Sequence, residues 1–232
     1  MNSTIGCKGC SASSNSVFKT LNADENEFLN SQKTSNVYQR GHVIYNEGNR
    51  ITGVFCVYNG VLKIYKTGSD GKEQIVAFAR AGDIVGYRSV LSNEPACTTA
   101  QVLEEAHICF IPSSVIFQLV RANGDFSLAL MQLTCKELNQ ANSFIKDIAQ
   151  KNVRERLAEV LLMLDDTFGT NEEGHLNIVL TREELANIVG TATESVIRLL
   201  SEFKSDGYIS LIGKRIKLEN KKLLQKISKS FN

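Results

Sequence analysis

Hydrophobic and polar positions follow two different periods along this chain. From Tyr38 to Gly86, short apolar runs rich in β-branched and aromatic residues are separated by glycines. Such runs predict strands joined by tight turns, and a long series of them is typical of a sandwich, barrel or jelly roll. The run TTAQVLEEAHICFIP predicts two further strands that end at Pro112, and Gly68-Ser69-Asp70-Gly71 predicts a hairpin turn. We therefore expect an N-terminal β-roll.

A helical period replaces this pattern after Pro112. Residues 115–120 predict a short helix, residues 125–150 a long one, and residues 153–168 a third after a polar hinge. Apolar or small positions recur three and four residues apart along the long helix, namely Met131, Thr134, Leu138, Ala141, Ile145 and Ile148. A heptad seam of this kind favours pairing with a second copy of the helix, so we expect a homodimer interface. The alternative is a helix packed along its own roll.

The stretch from Thr181 to Leu211 predicts two short helices that meet at a tight turn. Thr181 and Glu184 have the spacing of a capping box, which places the start of the first helix near Arg182. Gly190 can adopt the positive φ that a sharp helix end requires, and Thr193 is a suitable cap for the second helix. The buried faces would be formed by Leu185, Ile188 and Val189 in the first helix and by Val196, Leu199, Leu200 and Phe203 in the second.

The opposite face of the second helix carries residues suited to reading DNA bases. Arg198 could bind guanine, Glu194 could accept a hydrogen bond from cytosine N4, and Ile197 could contact a thymine methyl group. The alternative is a solvated face in which Glu194 simply favours the positive end of its own helix. We take the candidate DNA-binding residues to be Thr191, Thr193, Glu194, Ser195, Ile197, Arg198, Lys214 and Arg215.

A basic hairpin is predicted directly after these helices. YISLIGKRIKL reads as two short strands around Gly213-Lys214-Arg215, which would place a wing beside the helix pair. From Arg198 to the C-terminus there are nine lysines or arginines against three acidic residues. Phosphate contacts are expected from such a wing, since cationic side chains position a protein on duplex DNA without reading its sequence. Lysines at a hairpin tip can also serve solubility alone.

Composition narrows the class of protein. The chain has 232 residues, 43% of them hydrophobic, and a net charge of only +1, so nucleic-acid affinity must come from the local basic patch. The N-terminus is polar, and no apolar stretch approaches the length of a membrane span, so we expect a cytoplasmic protein without membrane association. Six scattered cysteines then read as reduced thiols or metal ligands. No nucleophile–base motif, phosphate loop or catalytic metal signature argues for an enzyme.

Together these segments resemble the Crp/Fnr family of bacterial transcription regulators. The resemblance is carried by EGNRITGVFCVYNGVLKIYKTGSDGKEQIVAFARAGDIVGYRS, KNVRERLAEVL and LTREELANIVGTATESVIRLLSEF. It implies an α+β chain with a leader and effector-sensing β-roll in 1–124, a dimerisation helix in 125–150 and a winged helix-turn-helix in 151–232. It also implies a homodimer on a palindromic operator, controlled by an unidentified signal, with RNA polymerase as a partner. Glu194 and Arg198 stand where the family has its half-site-reading glutamate and arginine.

The sequence of the roll argues against cyclic AMP as the effector, which stays unidentified. Cyclic-nucleotide-binding relatives have a glutamate after this glycine turn and a later phosphate-binding arginine, whereas here Tyr87 follows Gly86 and the later segment is Pro95-Ala96-Cys97-Thr98-Thr99-Ala100. A buried phosphate without such partners is costly. A different small anion, for which Arg88 could substitute, stays open. The candidate effector pocket comprises Gly86, Tyr87, Arg88, Cys97 and Thr98.

Fnr-type relatives instead bind an iron–sulfur cluster through cysteines of the leader and one cysteine of the last roll strand. Cys7 and Cys10 form a C-x-x-C, and Cys109 stands at the matching strand position, so these three are candidate metal ligands for an Fnr-like redox or oxygen sensor. The third leader cysteine of that pattern is Ser16 here. The alternatives are an idle leader and a Cys109 that serves as a small buried apolar residue.

A rival function from another class is a cyclic-nucleotide-type regulatory subunit that acts through a protein partner and binds no DNA. Its C-terminal helices would then form an interaction module. The basic wing and the Glu194/Arg198 face argue against this function.

Overall fold

The computed structural model describes residues 16–229, so Cys7 and Cys10 lie outside the described residues. The chain divides into two compact units. The first comprises the chain up to Gly68 together with Ile75–Gln140, and the second comprises Ser69–Gln74 and the chain from Ala141 onward.

The N-terminal unit is an antiparallel sheet with helices before, within and after it. A short 3-10 helix, Val17–Thr20, comes first; then follow α1 (Ala23–Gln32), β1 (Thr34–Tyr38), β2 (Val43–Tyr45), β3 (Gly53–Thr67), β4 (Glu73–Arg80), β5 (Ile84–Val85), α2 (Tyr87–Ser92), β6 (Thr99–Pro112) and α3 (Ser113–Ala122). The strand order is β1-β6-β3-β4, with β2 paired to β6 and β5 paired to β3. The expected β-roll is confirmed.

Two long strands form the centre of this roll and correct two sequence expectations. The stretch after Cys97 predicted two strands but forms a single one, β6, of 14 residues. The glycine-separated runs on either side of Gly60 likewise form one strand, β3, of 15 residues. The ladder between β3 and β6 changes register at several points, and such bulges let both strands bend without ending. Gly60 is required at one of them, since its φ is +86° and a side chain there would collide with the backbone of Glu105.

The sheet separates two apolar clusters. One contains Val57 and Ile108 from β3 and β6 and fills the roll. The other contains Val54 and Ile111 from the same strands, and the surrounding helices complete it with Phe18, Leu21, Leu29, Val115, Ile116, Leu119, Phe126 and Leu130. Alternate residues of a strand point to opposite faces, so each long strand contributes to both clusters.

Helices dominate the rest of the chain. The remaining elements are α4 (Gly124–Gln150), α5 (Val153–Phe168), α6 (Arg182–Val189), α7 (Thr193–Ser205), β7 (Ile209–Ile212), β8 (Arg215–Leu218) and α8 (Lys221–Ser228). The predicted helices after Pro112 and the two-stranded antiparallel wing are therefore confirmed. Within the described range, no helix has both the length and the apolar character needed to cross a membrane.

Candidate nucleic-acid interface

The first helix of the pair, α6, is fixed at both ends by specific hydrogen bonds. Thr181 Oγ1 accepts from the Glu184 backbone N–H at 3.0 Å, and the Glu184 carboxylate accepts from the Thr181 N–H at 2.6 Å, which confirms the capping box. Gly190 ends the helix with φ +72°. Arg156 of α5 then donates to the carbonyls of Val189 at 2.9 Å and Gly190 at 3.3 Å. These bonds satisfy backbone acceptors that the end of a helix leaves without partners.

The second helix, α7, starts differently from the sequence expectation. Thr193 was expected to cap it, but the cap residue is Ala192, whose backbone is extended and whose side chain makes no capping bond. Thr193 is already the first helical residue, and a cap must lie just outside the helix. The prediction of Thr193 as the cap is therefore wrong.

The polar face of α7 points to solvent as expected. Val196, Leu199, Leu200 and Phe203 are buried, whereas Glu194 is exposed. Ile197 is 51% exposed, and the Arg198 side chain is 69% exposed. Thr191, Thr193 and Ser195 are partly exposed beside them. An apolar Ile197 held in solvent contributes nothing to the core, which is consistent with a residue kept for contact with another molecule.

Arg198 belongs to a network of ion pairs in which arginines and carboxylates alternate. Arg198 donates to Glu202 Oε1 at 2.9 Å, and Arg154 of α5 donates to Glu202 Oε2 and to Asp206, each at 2.9 Å. The Arg154 guanidinium also lies 4.8 Å from the centre of the Phe203 ring. Sequence reasoning missed both Arg154 and Glu202. The i,i+4 spacing of Arg198 and Glu202 could have indicated their pairing, but nothing local connects α5 to α7.

The wing presents its basic tip beside these helices. Lys214 and Arg215 are exposed, and Arg182 of α6 donates to the Gly213 carbonyl at 3.0 Å, which ties the tip to the helix pair. Arg215 lies 3.6 Å from the Glu173 carboxylate. Lys221 is bound to Asp165 of α5 at 2.6 Å, so part of its charge is already neutralised. Lys214 and Arg215 thus remain exposed at the tip, although Arg215 lies near an acidic residue.

The candidate effector residues of the roll lie around two buried tyrosines. Burial raises the pKa of Tyr45 to about 12, opposed by a hydrogen bond from Thr98. Burial likewise raises the pKa of Tyr87 to about 12, and the Tyr87 hydroxyl lies 3.5 Å from Thr134 Oγ1 of α4. Gly86 precedes Tyr87 with φ +80°. Thr98 is buried, whereas Cys97 is exposed.

Arg88 is engaged by a carboxylate of the same unit. Its Nε lies 3.3 Å from Glu137 of α4. Burial raises the pKa of Glu137, and Arg88 opposes that shift only in part. An anion that approached Arg88 would have to compete with this carboxylate. The arrangement links the turn after β5 to the helix that carries the heptad seam.

The described cysteines differ in solvent exposure. Cys97 and Cys135 are exposed, whereas Cys109 is buried in β6. Across the residues 16–229, no group of three or more histidine, cysteine, aspartate or glutamate side chains could hold a metal ion. Ser16, which stands where Fnr-type relatives have a cysteine, caps the 3-10 helix by accepting from the Phe18 N–H.

Two known domain families match separate segments of the chain. A cyclic nucleotide-binding domain model matches residues 35–123, and a Crp-like helix-turn-helix domain model matches residues 155–227. The chain is 29% identical to the fumarate and nitrate reduction regulatory protein of Yersinia pestis, over 97% of this chain and 90% of that protein.

Solved structures share the fold. A protein of Eubacterium rectale assigned to the crp/fnr family superposes with a TM-score of 0.76 and 19% identity, covering 91% of this chain and 97% of that chain. FixK2 of Bradyrhizobium japonicum superposes with a TM-score of 0.75 and 25% identity, covering 84% and 96%. With both domain matches in this order and relatives that span nearly its whole length, the chain belongs to the Crp/Fnr family of transcription regulators.

Proposed function

We propose that this protein is a homodimeric transcription regulator that reads a palindromic operator with the exposed face of α7. The observation that carries the proposal is the outward placement of Glu194, Ile197 and Arg198 on a helix whose other face is fully packed. A recognition helix presents such residues to base edges in the major groove.

Each exposed residue of α7 has a base partner that suits its chemistry. The Arg198 guanidinium can donate two hydrogen bonds to guanine O6 and N7, and the Glu194 carboxylate can accept one from cytosine N4. Ile197 can pack against a thymine methyl group. Thr193 and Ile197 directly precede Glu194 and Arg198 in the chain, so we expect them to contribute to the base preference of this protein. The basic wing tip, Lys214 and Arg215, would hold the adjacent phosphates.

The dimer follows from the uncovered seam of α4. Met131, Leu138, Ile145 and Ile148 are all exposed in the single chain, as are Thr134 and Ala141 between them. A stripe of large apolar side chains at heptad spacing is stabilised when a second helix covers it. Two-fold protein symmetry then requires two-fold symmetry of the DNA site. By family resemblance, RNA polymerase would be the partner of the DNA-bound dimer.

The roll would control the dimer through α4. Tyr87 faces Thr134 and Arg88 faces Glu137, so a ligand that rearranges the turn after β5 also changes contacts to the seam helix. Such a ligand acts by favouring one arrangement of the two seam helices over another. The missing glutamate and arginine of the cyclic-nucleotide cassette argue for a signal other than cyclic AMP.

An iron–sulfur sensor of the Fnr type is a second candidate for this control. It is supported by Cys109, which occupies the matching strand position, and by the C-x-x-C of Cys7 and Cys10. A cluster would supply a redox-sensitive or oxygen-sensitive centre to the roll. The chain's own contribution would be thiolates that hold the cluster.

Selection of binding sites from random duplex DNA tests the DNA-reading function. The unmodified protein should enrich a palindromic sequence. Arg198→Ala should lose discrimination at one base pair per half-site, by about 1–3 kcal/mol, because one bidentate contact is removed. The matched control is Arg121→Ala, which removes an exposed arginine of α3. Enrichment of no sequence by the unmodified protein, or an unchanged preference in Arg198→Ala, would contradict the proposal.

A further inference from the structure

The wing carries an apolar side chain on its outward face. In the antiparallel register of β7 and β8, Leu211 lies opposite Ile216, and Ile212 lies opposite Arg215. Opposed residues project to the same face of a sheet, and successive residues of a strand alternate between faces. One face of the wing therefore carries Ile209, Leu211, Ile216 and Leu218, and the other carries Ser210, Ile212, Arg215 and Lys217.

The two faces differ in burial. Ile209, Ile216 and Leu218 are buried against the rest of the C-terminal unit, whereas Ile212 is 64% exposed. The alternation of apolar and polar residues along β7 thus breaks at Ile212, where a polar side chain would complete the pattern. An isoleucine left in water at this position adds little to the core of the unit.

Cationic side chains surround Ile212 at the tip. Lys214 and Arg215 are exposed, and Lys217 lies on the same face of the wing. The nearby carboxylates are Glu173, 3.6 Å from Arg215, and Glu219, 3.8 Å from Lys217. An apolar group among cations complements the edge of a DNA strand, because anionic phosphates there alternate with sugars whose apolar surfaces form the walls of the minor groove. The charge therefore favours DNA over an apolar protein surface as the partner.

The tip is held in a fixed place relative to the helix pair. Arg182 of α6 donates to the Gly213 carbonyl at 3.0 Å, and Tyr208, just before β7, packs edge-on against Phe203 of α7 with ring centres 5.7 Å apart. An α-helix about 10–12 Å across fills the major groove, which is about 12 Å wide. An element beside a recognition helix therefore lies over the bordering phosphates and the adjacent minor groove.

We propose that Ile212 enters the minor groove beside each half-site and favours base pairs that lack the guanine 2-amino group. This inference rests on the proposed function and deepens it, because it adds a minor-groove contact to the major-groove contacts of α7. In the minor groove, A·T pairs present only acceptors, whereas G·C pairs add the donor of the 2-amino group. Isoleucine cannot accept a hydrogen bond, so a G·C pair beneath it would leave that donor without a partner.

Affinity for the selected operator tests the contact, with purified protein and duplex DNA alone. Ile212→Ala should weaken binding by about threefold to tenfold, because apolar area that the DNA covers is lost. Ile212→Val should keep more of the affinity than Ile212→Ala. Val37→Ala, the matched control, shortens a side chain of β1 that is 57% exposed and should bind as the unmodified protein does.

Salt dependence separates this apolar contact from the phosphate contacts of the tip. Ile212→Ala should leave the slope of log affinity against log salt concentration unchanged, since no charge is removed. Lys214→Ala should make that slope shallower by about one. A change of slope in Ile212→Ala equal to that of Lys214→Ala would contradict an apolar contact.

Inosine substitution tests the place of the contact. Operators with G·C pairs outside the half-sites are compared with operators in which one such pair at a time is replaced by inosine·cytosine. This change removes the 2-amino group from the minor groove and leaves the major-groove pattern unaltered. The unmodified protein should bind more tightly when the pair under the wing is replaced, and Ile212→Ala should not distinguish the two pairs. Indifference of the unmodified protein to every replacement would overturn minor-groove reading.

Folding and the two levels of inference are checked separately. Thermal unfolding of Ile212→Ala should match that of the unmodified protein, since the side chain is exposed. Equal operator affinity of these two proteins would overturn the inference alone. A role of Ile212 confined to a protein partner would give that same result, because no such partner is present. Failure of the unmodified protein to select any operator would overturn the proposed function, and this inference with it.

Discussion

Two arginine–glutamate pairs in this protein have different surroundings. Arg198 and Glu202 on α7 are 2.9 Å apart, and Arg198 is mostly exposed. Arg88 and Glu137 are 3.3 Å apart, and Glu137 is sufficiently buried that its pKa is raised. An exposed pair is worth little and is easily exchanged for another partner, whereas a half-buried carboxylate is costly to ionise. Arg198 is therefore the more easily released of the two arginines. Arg88 and Glu137 connect the turn after β5 to α4.

The two glutamates also differ in how many cationic side chains surround them. Glu202 is neutralised by a second arginine, Arg154, which is itself held by Asp206 and the Phe203 ring. Within residues 16–229, Arg88 is the cation that acts on Glu137, which also faces Tyr87 and the repulsive charge of Asp83. The partly exposed carboxylate of Glu202 is thus screened by two arginines. The half-buried Glu137 of α4 has weaker screening than Glu202.

The largest expected effect comes from a change in the seam of α4. Leu138→Glu should weaken the dimer by at least about 3 kcal/mol, roughly a hundredfold or more in the dissociation constant, because a charge would be buried without a partner. Analytical ultracentrifugation measures the change. Gln140→Glu, which adds the same charge away from the seam, should leave the dimer intact. A dimer that is equally strong in both variants would refute the seam.

A second experiment removes the support of Arg198. Arg154→Ala should lower the free energy of unfolding of the C-terminal unit by about 1–2 kcal/mol, because two carboxylates lose a partner and Phe203 loses a cation contact. Arg198→Ala should change it by less than about 0.5 kcal/mol, since its pair is exposed. Urea denaturation compares the two. Equal destabilisation would show that Arg154 is no more structural than Arg198.

The pH dependence of the stability of the N-terminal unit gives a third comparison. Burial raises the pKa of Glu137 above its unfolded value, so the folded state binds the proton more tightly. The stability that this carboxyl contributes is present at low pH and is lost as pH rises from its unfolded pKa through its folded pKa. Glu137→Gln should therefore gain stability relative to the unmodified protein as pH rises above the ordinary pKa of glutamate, about 4.5. Thermal unfolding at several pH values measures it.

The control for this experiment is Glu94→Gln, which neutralises an exposed carboxylate of the same unit. Its stability difference from the unmodified protein should not vary with pH in the same direction. Asp83 also has a pKa raised by burial, so part of the pH dependence should persist in Glu137→Gln. A pH-independent difference for Glu137→Gln would contradict the assignment.

The smallest expected effect concerns how Glu202 positions Arg198. Glu202→Gln should reduce discrimination at the base pair read by Arg198 by about 0.3–0.5 kcal/mol, the usual strength of an i,i+4 ion pair. This loss should vanish when Arg198 is already alanine. A double-mutant cycle on the selected operator measures the coupling. Equal effects of Glu202→Gln in both backgrounds would show that Glu202 acts only on helix stability.

Much of the fold could be predicted from local patterns. The capping box at Thr181 and Glu184 and the helix end at Gly190 depend on bonds within a few residues, so their spacing predicts them directly. The helices after Pro112 follow from periodicity for the same reason. Local patterns failed where strand length depended on the partner strand. Gly60 reads as a strand end, yet β3 continues because β6 accommodates the bulge.

By itself the sequence determined the order of β-roll, long helix and winged helix-turn-helix, and which face of α7 is polar. These properties depend on neighbours within one or two turns. The tertiary structure alone decided which distant side chains meet. Arg154 reaches Glu202 across 48 residues, and Cys56 lies opposite Cys109 because of the register of two long strands. Such contacts depend on helix packing and strand pairing, which sequence spacing does not specify.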